Sequence, residues 1–172
     1  MKKTLFLLAA IVTMVLVTPN RANAQNNILT ENGIMAQATI GFPLSSMSGK
    51  CVIPPVSATM EYCIADFNRF GSLSVGGTME YALNNNSVYD YNLYINDVVL
   101  EALVCYHYSF NPRFAAHVKF GAGYWNGLGV GAHLSRSARA GVTYLLNDHV
   151  GVVAEAGYSY VSTIRVGIAF RF

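Results

Sequence analysis

The chain has 172 residues, of which 53% are hydrophobic and 12% charged, with a formal net charge of +2. A soluble domain carries about 25% charged residues, so this composition argues against an ordinary water-soluble protein. The positive balance rests on Lys2, Lys3 and Arg21; without them eight basic side chains face nine acidic ones, which excludes the basic face that nucleic-acid binding needs.

The first element reads as a leader. Lys2 and Lys3 precede an apolar run over 5–17 and then Ala22-Asn23-Ala24, the pattern of a secretory signal peptide cut between Ala24 and Gln25. That run is too short for a spanning helix, which takes about 20 residues, and no cysteine at the cut suggests a lipid anchor. The mature chain is expected to be one domain, 25–172. None of it is long and apolar enough to span as a helix. Such apolarity leaves a closed β-sheet as the membrane-compatible form.

From Gly33 onward the chain alternates with the period of a strand, in which successive side chains point to opposite faces. Strands are predicted over 34–42, 56–65, 73–81, 98–108, 114–124, 137–146, 150–160 and 163–172. The last has Ile164, Val166, Ile168, Phe170 and Phe172 on one face, and Thr163, Arg165, Gly167, Ala169 and Arg171 on the other. Every other segment repeats this code. Short turns are expected at 66–71, 109–112 and Asn147-Asp148, and longer loops at 44–54, 84–94 and 125–135, where Met47, Tyr89, Tyr91 and Trp125 are candidate surface contacts. Eight strands near the 9–11 residues of a tilted crossing predict an all-β, eight-stranded antiparallel up-and-down transmembrane barrel.

Two features favour a lipid-facing exterior over a soluble barrel. No outward position in the predicted strands is charged, whereas Glu61, Glu80, Glu101, Lys119, Arg139, Glu155, Arg165 and Arg171 all point inward. A soluble ligand-binding barrel reverses that arrangement. Aromatic residues also gather at both rims: Tyr62, Tyr106, Tyr108, Phe114, Tyr144, Phe170 and Phe172 at one, and Phe42, Tyr81, Tyr124, Tyr158 and Tyr160 at the other.

The inward carboxylates and cations are expected to pair as a structural plug, because buried charges must be matched and so narrow a lumen is filled by side chains. Glu101, Lys119, Arg139 and Glu155 are expected at its centre. Cys105, His107 and His117 point inward on one hairpin, close enough to suggest a soft metal site, but inward histidines in a polar lumen ordinarily hydrogen-bond, and no metal, cofactor or catalytic residue is assigned. Cys51, Cys63 and Cys105 are an odd set; Cys51 falls in a loop, and the other two lie on non-adjacent strands, so no disulfide is expected.

The stretches Pro54-Pro-Val-Ser-Ala-Thr-Met-Glu-Tyr62, Ala102-Leu-Val-Cys-Tyr-His107, Gly121-Ala-Gly-Tyr124, Ala140-Gly-Val-Thr-Tyr-Leu-Leu-Asn-Asp148, Ala154-Glu-Ala-Gly-Tyr158 and Val166-Gly-Ile-Ala-Phe-Arg-Phe172, in that order, resemble the small outer-membrane β-barrels of Gram-negative bacteria. The resemblance is to the OmpA-type and OmpX-type barrels, and especially to their Bacteroidetes branch. It implies export, residence in the cell outer membrane among phospholipid and lipopolysaccharide, and insertion by the outer-membrane assembly machinery reading Phe170 and Phe172 of the last strand. It further implies a monomer with an envelope or surface-display role and without the peptidoglycan-binding domain of longer relatives. His133-Leu-Ser135 is similar to the His-x-Ser of barrel-shaped lipid A deacylases, but Arg136 replaces that family's asparagine and Glu155 is expected near Arg139, far along the strand from His133. The expectation is therefore a non-enzymatic barrel, with lipid modification or a small-solute channel as the alternatives.

Overall fold

The computed structural model describes residues 27–42, 50–67, 71–88, 91–127 and 132–172. The predicted leader with Ala22, Ala24 and Gln25, and the candidate contacts Met47 and Tyr89, lie outside the described residues. Eight strands, β1 (Ile34–Phe42), β2 (Lys50–Asp66), β3 (Ser72–Val88), β4 (Tyr91–Asn111), β5 (Phe114–Asn126), β6 (Ala132–Leu145), β7 (Val150–Tyr158) and β8 (Ile164–Arg171), form one closed barrel. Each is antiparallel to its sequence neighbours, and β1 pairs with β8 from Met35↔Arg171 to Phe42↔Ile164. Closure leaves no edge within the wall, the condition for a sheet in lipid.

The predicted faces hold along the wall. Met60, Met79, Phe120, Val142, Ile168 and Phe172 are exposed, while Glu61, Glu80, Glu101, Lys119, Arg139, Glu155 and Arg165 are buried. The barrel is therefore inside out relative to a protein folded in water. No helix among the described residues is long and apolar enough to cross a membrane.

One end of the barrel, here the turn end, carries the short connections and both the start of β1 and the end of β8. Its turns are set by side chains that replace backbone partners. Asn111 Oδ1 accepts from the amides of Arg113 and Phe114 at 2.9 and 2.8 Å, and Asn147 Oδ1 accepts from those of His149 and Val150 at 2.9 and 2.7 Å. Gly71 closes the turn between β2 and β3 at φ +105°, where a Cβ would meet the His107 carbonyl oxygen at 2.0 Å. That conformation and that contact both require glycine.

At the opposite, loop end, the strands run further than predicted. β3 continues through Asn84-Asn85-Asn86-Ser87 and pairs up to Val88↔Tyr91, so most of the predicted 84–94 loop is hairpin. β2 begins at Lys50 and takes in Cys51, with register shifts between Cys51 and Ile53 and between Ile53 and Val56. The second shift spans Pro54-Pro55, which have no N–H for the ladder, so a strand containing them must bulge. β6 begins at Ala132, which brings His133 and Ser135 into the sheet and turns Arg136 to the outer wall, an exposed cation that the shorter predicted strand omitted. β7 stops at Tyr158; Tyr160, expected on the outer wall, stacks on Trp125 at the mouth of the lumen instead.

Candidate functional site: a sealed ionic lumen

The polar interior divides into two groups of charges. Nearer the turn end, the Lys119 ammonium lies 2.6 Å from Glu61 Oε1 and 2.7 Å from Glu155 Oε1, and donates to Gln37 Oε1 at 2.7 Å. Three oxygens from three strands thus surround one ammonium. Each glutamate also meets a histidine: Glu61 Oε2 is 2.8 Å from His107 Nε2, and Glu155 Oε1 is 3.1 Å from His117 Nε2. Lys119 is 1% exposed and Glu61 is 1% exposed, so these charges are removed from water and depend on one another.

Nearer the loop end, Arg139 donates to Glu101 Oε2 at 2.9 Å and lies 3.9 Å from Glu80 Oε1, which also pairs with Arg165. Ser137 donates to Glu101 Oε2 at 2.5 Å, Ser135 donates to Glu101 Oε1, and Ser159 donates to Glu80 Oε2 at 2.8 Å. Here two guanidinium groups face two carboxylates, and serine hydroxyls donate to both oxygens of Glu101 and to one of Glu80.

The sheet makes room for these long side chains in a regular way. Glu61 is paired with Gly76 across the ladder, Glu101 with Gly123, and Glu155 with Gly141. A residue without a side chain leaves a lane through which the carboxylate leans toward the next strand. At Gly141 a Cβ would lie 2.7 Å from His117 Nε2. At Gly121, a Cβ would lie 2.5 Å from the Ser137 hydroxyl and 2.7 Å from Glu101 Oε2.

Both ends of the ionic lumen are covered by apolar groups. At the turn end, the segment before β1 folds under the barrel: Ile28 and Leu29 are completely buried against Met35, Cys63, Ala115 and Leu145. Hydrogen bonds fix it there. The Ile28 amide donates to Ser109 Oγ at 2.8 Å, and Asn27 Nδ2 donates to the Gly71 carbonyl at 3.2 Å and to Asp66. At the loop end, Trp125 packs with Ala82, Val99 and Val161, stacks on Tyr160 at 5.0 Å between ring centroids, and donates to Asp97 Oδ1 at 3.3 Å. Trp125, expected as an exposed contact, is a buried part of this stopper; odd-numbered residues of β5 face inward, and the predicted loop hid that parity.

Arg171 stands apart from the residues with which it was grouped. It is half-buried at the turn-end rim, where Nε donates to the Asp148 carbonyl at 2.9 Å and Nη1 to the Ile28 carbonyl at 3.4 Å. It anchors the turn-end cover rather than neutralising a glutamate. Glu61 and Glu80, which lie outside the expected centre, each meet one of its cations, Glu61 at Lys119 and Glu80 3.9 Å from Arg139. Phe170 and Phe172 project from the outer wall, with Phe172 74% exposed. Ser135 sends its hydroxyl to Glu101, while His133 leans on Trp125 at 5.7 Å. The three cysteines are free thiols.

Sequence reasoning set Cys105 beside His107 but missed Glu61 as their neighbour in the turn-end group. Glu61 from β2 and Cys105 and His107 from β4 bring a carboxylate, a thiol and an imidazole to one point, with all three ligand atoms within 4.8 Å of one another. Cys105 Sγ is 3.2 Å from His107 Nε2, and the Ser74 hydroxyl is 3.0 Å from Glu61 Oε2. Alternation alone turns Glu61 inward; its reach across Gly76 to β4 depends on register, which alternation does not reveal.

No protein-family model matches the sequence, and no curated protein matches it. Among solved structures, a de novo designed transmembrane β-barrel is similar over 87% of this chain and 100% of its own, with a TM-score of 0.58 and 18% identity. The N-terminal barrel domain of Pseudomonas aeruginosa OprF aligns over 83% of this chain and 98% of its own, with a TM-score of 0.47 and 14% identity. Ail, the attachment invasion locus protein of Yersinia pestis, solved with the heparin analogue sucrose octasulfate, aligns over 81% of this chain and 95% of its own, with a TM-score of 0.44 and 14% identity. The designed barrel shares the fold, which is as far as that likeness reaches.

Proposed function

We propose that this chain is an integral outer-membrane protein of a Gram-negative envelope, a monomeric barrel without an open pore that reinforces the membrane and holds extended hairpins outside the cell. The observation that carries this reading is the lumen, where paired charges are closed off at one end by Ile28 and Leu29 and at the other by Trp125 and Val161. Continuous aqueous conduction would need those covers and the ion pairs between them to part together. The apolar exterior supports residence among lipid acyl chains and lipopolysaccharide, with Arg136 beside the rim aromatics suited to anionic headgroups. The exposure of Phe172 at the end of the last strand supports its recognition by the assembly machinery.

The display role rests on strand length. β3 and β4 have 17 and 21 residues, well beyond the roughly 9–11 of a tilted crossing, so their hairpin extends past the membrane and offers a surface for an external ligand. The reading assigns the chain no catalytic step and calls for no organic cofactor. Planar-bilayer recording tests the sealed lumen: the refolded protein gives no steady conductance, and a stable large conductance would reject the reading in favour of a channel. An epitope inserted between residues 89 and 90 should be detected on intact cells. Unchanged lipid A acylation by mass spectrometry on deleting the gene is the expected result, and a missing acyl chain in strains that carry it would favour the deacylase alternative.

A further inference from the structure

The two charged groups in the lumen differ in their balance. Toward the loop end, Arg139 and Arg165 match Glu80 and Glu101 one for one. Toward the turn end, Glu61 and Glu155 share the single ammonium of Lys119, so anionic groups outnumber the fixed cation. The excess lies beside the one place in the described residues where three side chains of metal-binding type converge, namely Glu61, Cys105 and His107.

We propose that Glu61, Cys105 and His107 form an intramembrane binding site for a borderline-soft divalent cation of the zinc class. Thiolate sulfur, imidazole nitrogen and carboxylate oxygen are the donors that zinc selects, and three protein ligands with one further position is a common set. The atoms are already close: His107 Nε2 lies 2.8 Å from Glu61 Oε2 and 3.2 Å from Cys105 Sγ. A tetrahedral ion with bonds of about 2.0–2.3 Å holds its ligands slightly further apart, so a small outward adjustment opens the site. Ser74 Oγ, 3.0 Å from Glu61 Oε2 and 3.4 Å from His107 Nε2, stands where a fourth ligand or a bound water would be held.

The surroundings suit a bound cation. Lys119 holds the other oxygen of Glu61, at 2.6 Å, and so orients the carboxylate with Oε2 toward the site. Glu155, 2.7 Å from the Lys119 ammonium, and its partner His117, with its ring 5.5 Å from that of His107, are further charged and titratable neighbours, and the Arg139 guanidinium acts on both glutamates from the loop-end side. On binding, the Cys105 thiol gives its proton to solvent and its sulfur lone pair to the ion. The dication and Lys119 then balance the Cys105 thiolate, Glu61 and Glu155 in full. The Ile28–Leu29 cover excludes water from the turn end, so the ion would be captured as the barrel closes and be slow to leave.

The test is to refold residues 25–172 in detergent with Co2+ or Zn2+ present, so that access through a closed lumen is not needed, and to remove free metal before measurement. The expected result is one ion retained per barrel, a thiolate-to-Co2+ charge-transfer band in the near ultraviolet, and loss of both in Cys105→Ser and His107→Ala, with retention in Cys51→Ser and Cys63→Ser. Heat-modifiable migration reports whether each variant has folded. Should Cys105→Ser fail to fold, Glu61→Gln and His107→Ala serve instead: each removes one donor and should lower the metal retained per folded barrel at least tenfold. A folded barrel that retains no metal, a band that survives Cys105→Ser, or full retention in folded Glu61→Gln and His107→Ala would each overturn the proposal.

Discussion

The two halves of the lumen solve the same problem with different cations. On the Lys119 side, one compact ammonium is shared by Glu61, Glu155 and Gln37, and each glutamate leans on a histidine as well. On the arginine side, two guanidinium groups and three serine hydroxyls serve Glu80 and Glu101. A lysine offers three donors from one point, whereas an arginine spreads five across a plane. The Lys119 group is therefore fragile in a way the arginine group is not, since its anions converge on a single side chain.

The largest effect that follows is for Lys119→Met. It leaves two buried carboxylates without a cation and should cost about 3–5 kcal/mol, read as a lower urea midpoint for the barrel in detergent. Arg139→Met should cost less, because Arg165 still serves Glu80, and Ser135 and Ser137 still serve Glu101; a larger loss for Arg139→Met would reverse the comparison. Next is Ile28→Ala, which removes a fully buried side chain at one cover and should lower stability by roughly 2–4 kcal/mol while raising brief conductance bursts in planar bilayers. Combining Lys119→Met with Glu61→Gln and Glu155→Gln should restore much of the midpoint lost by Lys119→Met alone, since removing both signs of charge avoids the unpaired anion. The smallest effect belongs to Arg171→Ala, expected within about 1 kcal/mol because its partners are carbonyl oxygens at a wet rim. A collapse of the fold in that variant would show Arg171 to matter to the interior after all.

The orientation of the wall was legible because a period of two residues fixes which side chains share a face, and seven buried ions followed from that rule alone. What alternation cannot supply is the stagger between strands. It is register that brings Glu61 opposite Gly76 and carries its carboxylate to His107, and no feature within 56–65 contains that information. The loop-end extensions were missed for a different reason: Asn84, Asn85 and Asn86 have poor strand propensity, yet the β3–β4 ladder forms through backbone groups continuous with a well-specified hairpin below. Pro54-Pro55 likewise reads as a loop by composition and is accommodated as a bulge. Ile28 and Leu29 show no periodicity at all; their one signal was an apolar pair isolated between polar residues.

The barrel wall is far from uniform in height. β7, β8 and β1 have 9, 8 and 9 residues, while β3 and β4 on the other side have 17 and 21. At about 3.3 Å per residue, the eight of β8 extend roughly 26 Å before tilt is considered, close to the limit of a hydrocarbon slab of about 30 Å. In the bilayer proposed for this barrel, lipids against this low side must shorten or the cylinder must lean, and each ångström of such mismatch carries a modest free-energy cost. The seam where the chain's first and last strands meet thus faces the thinnest annulus of bilayer, and a thicker membrane should press hardest there.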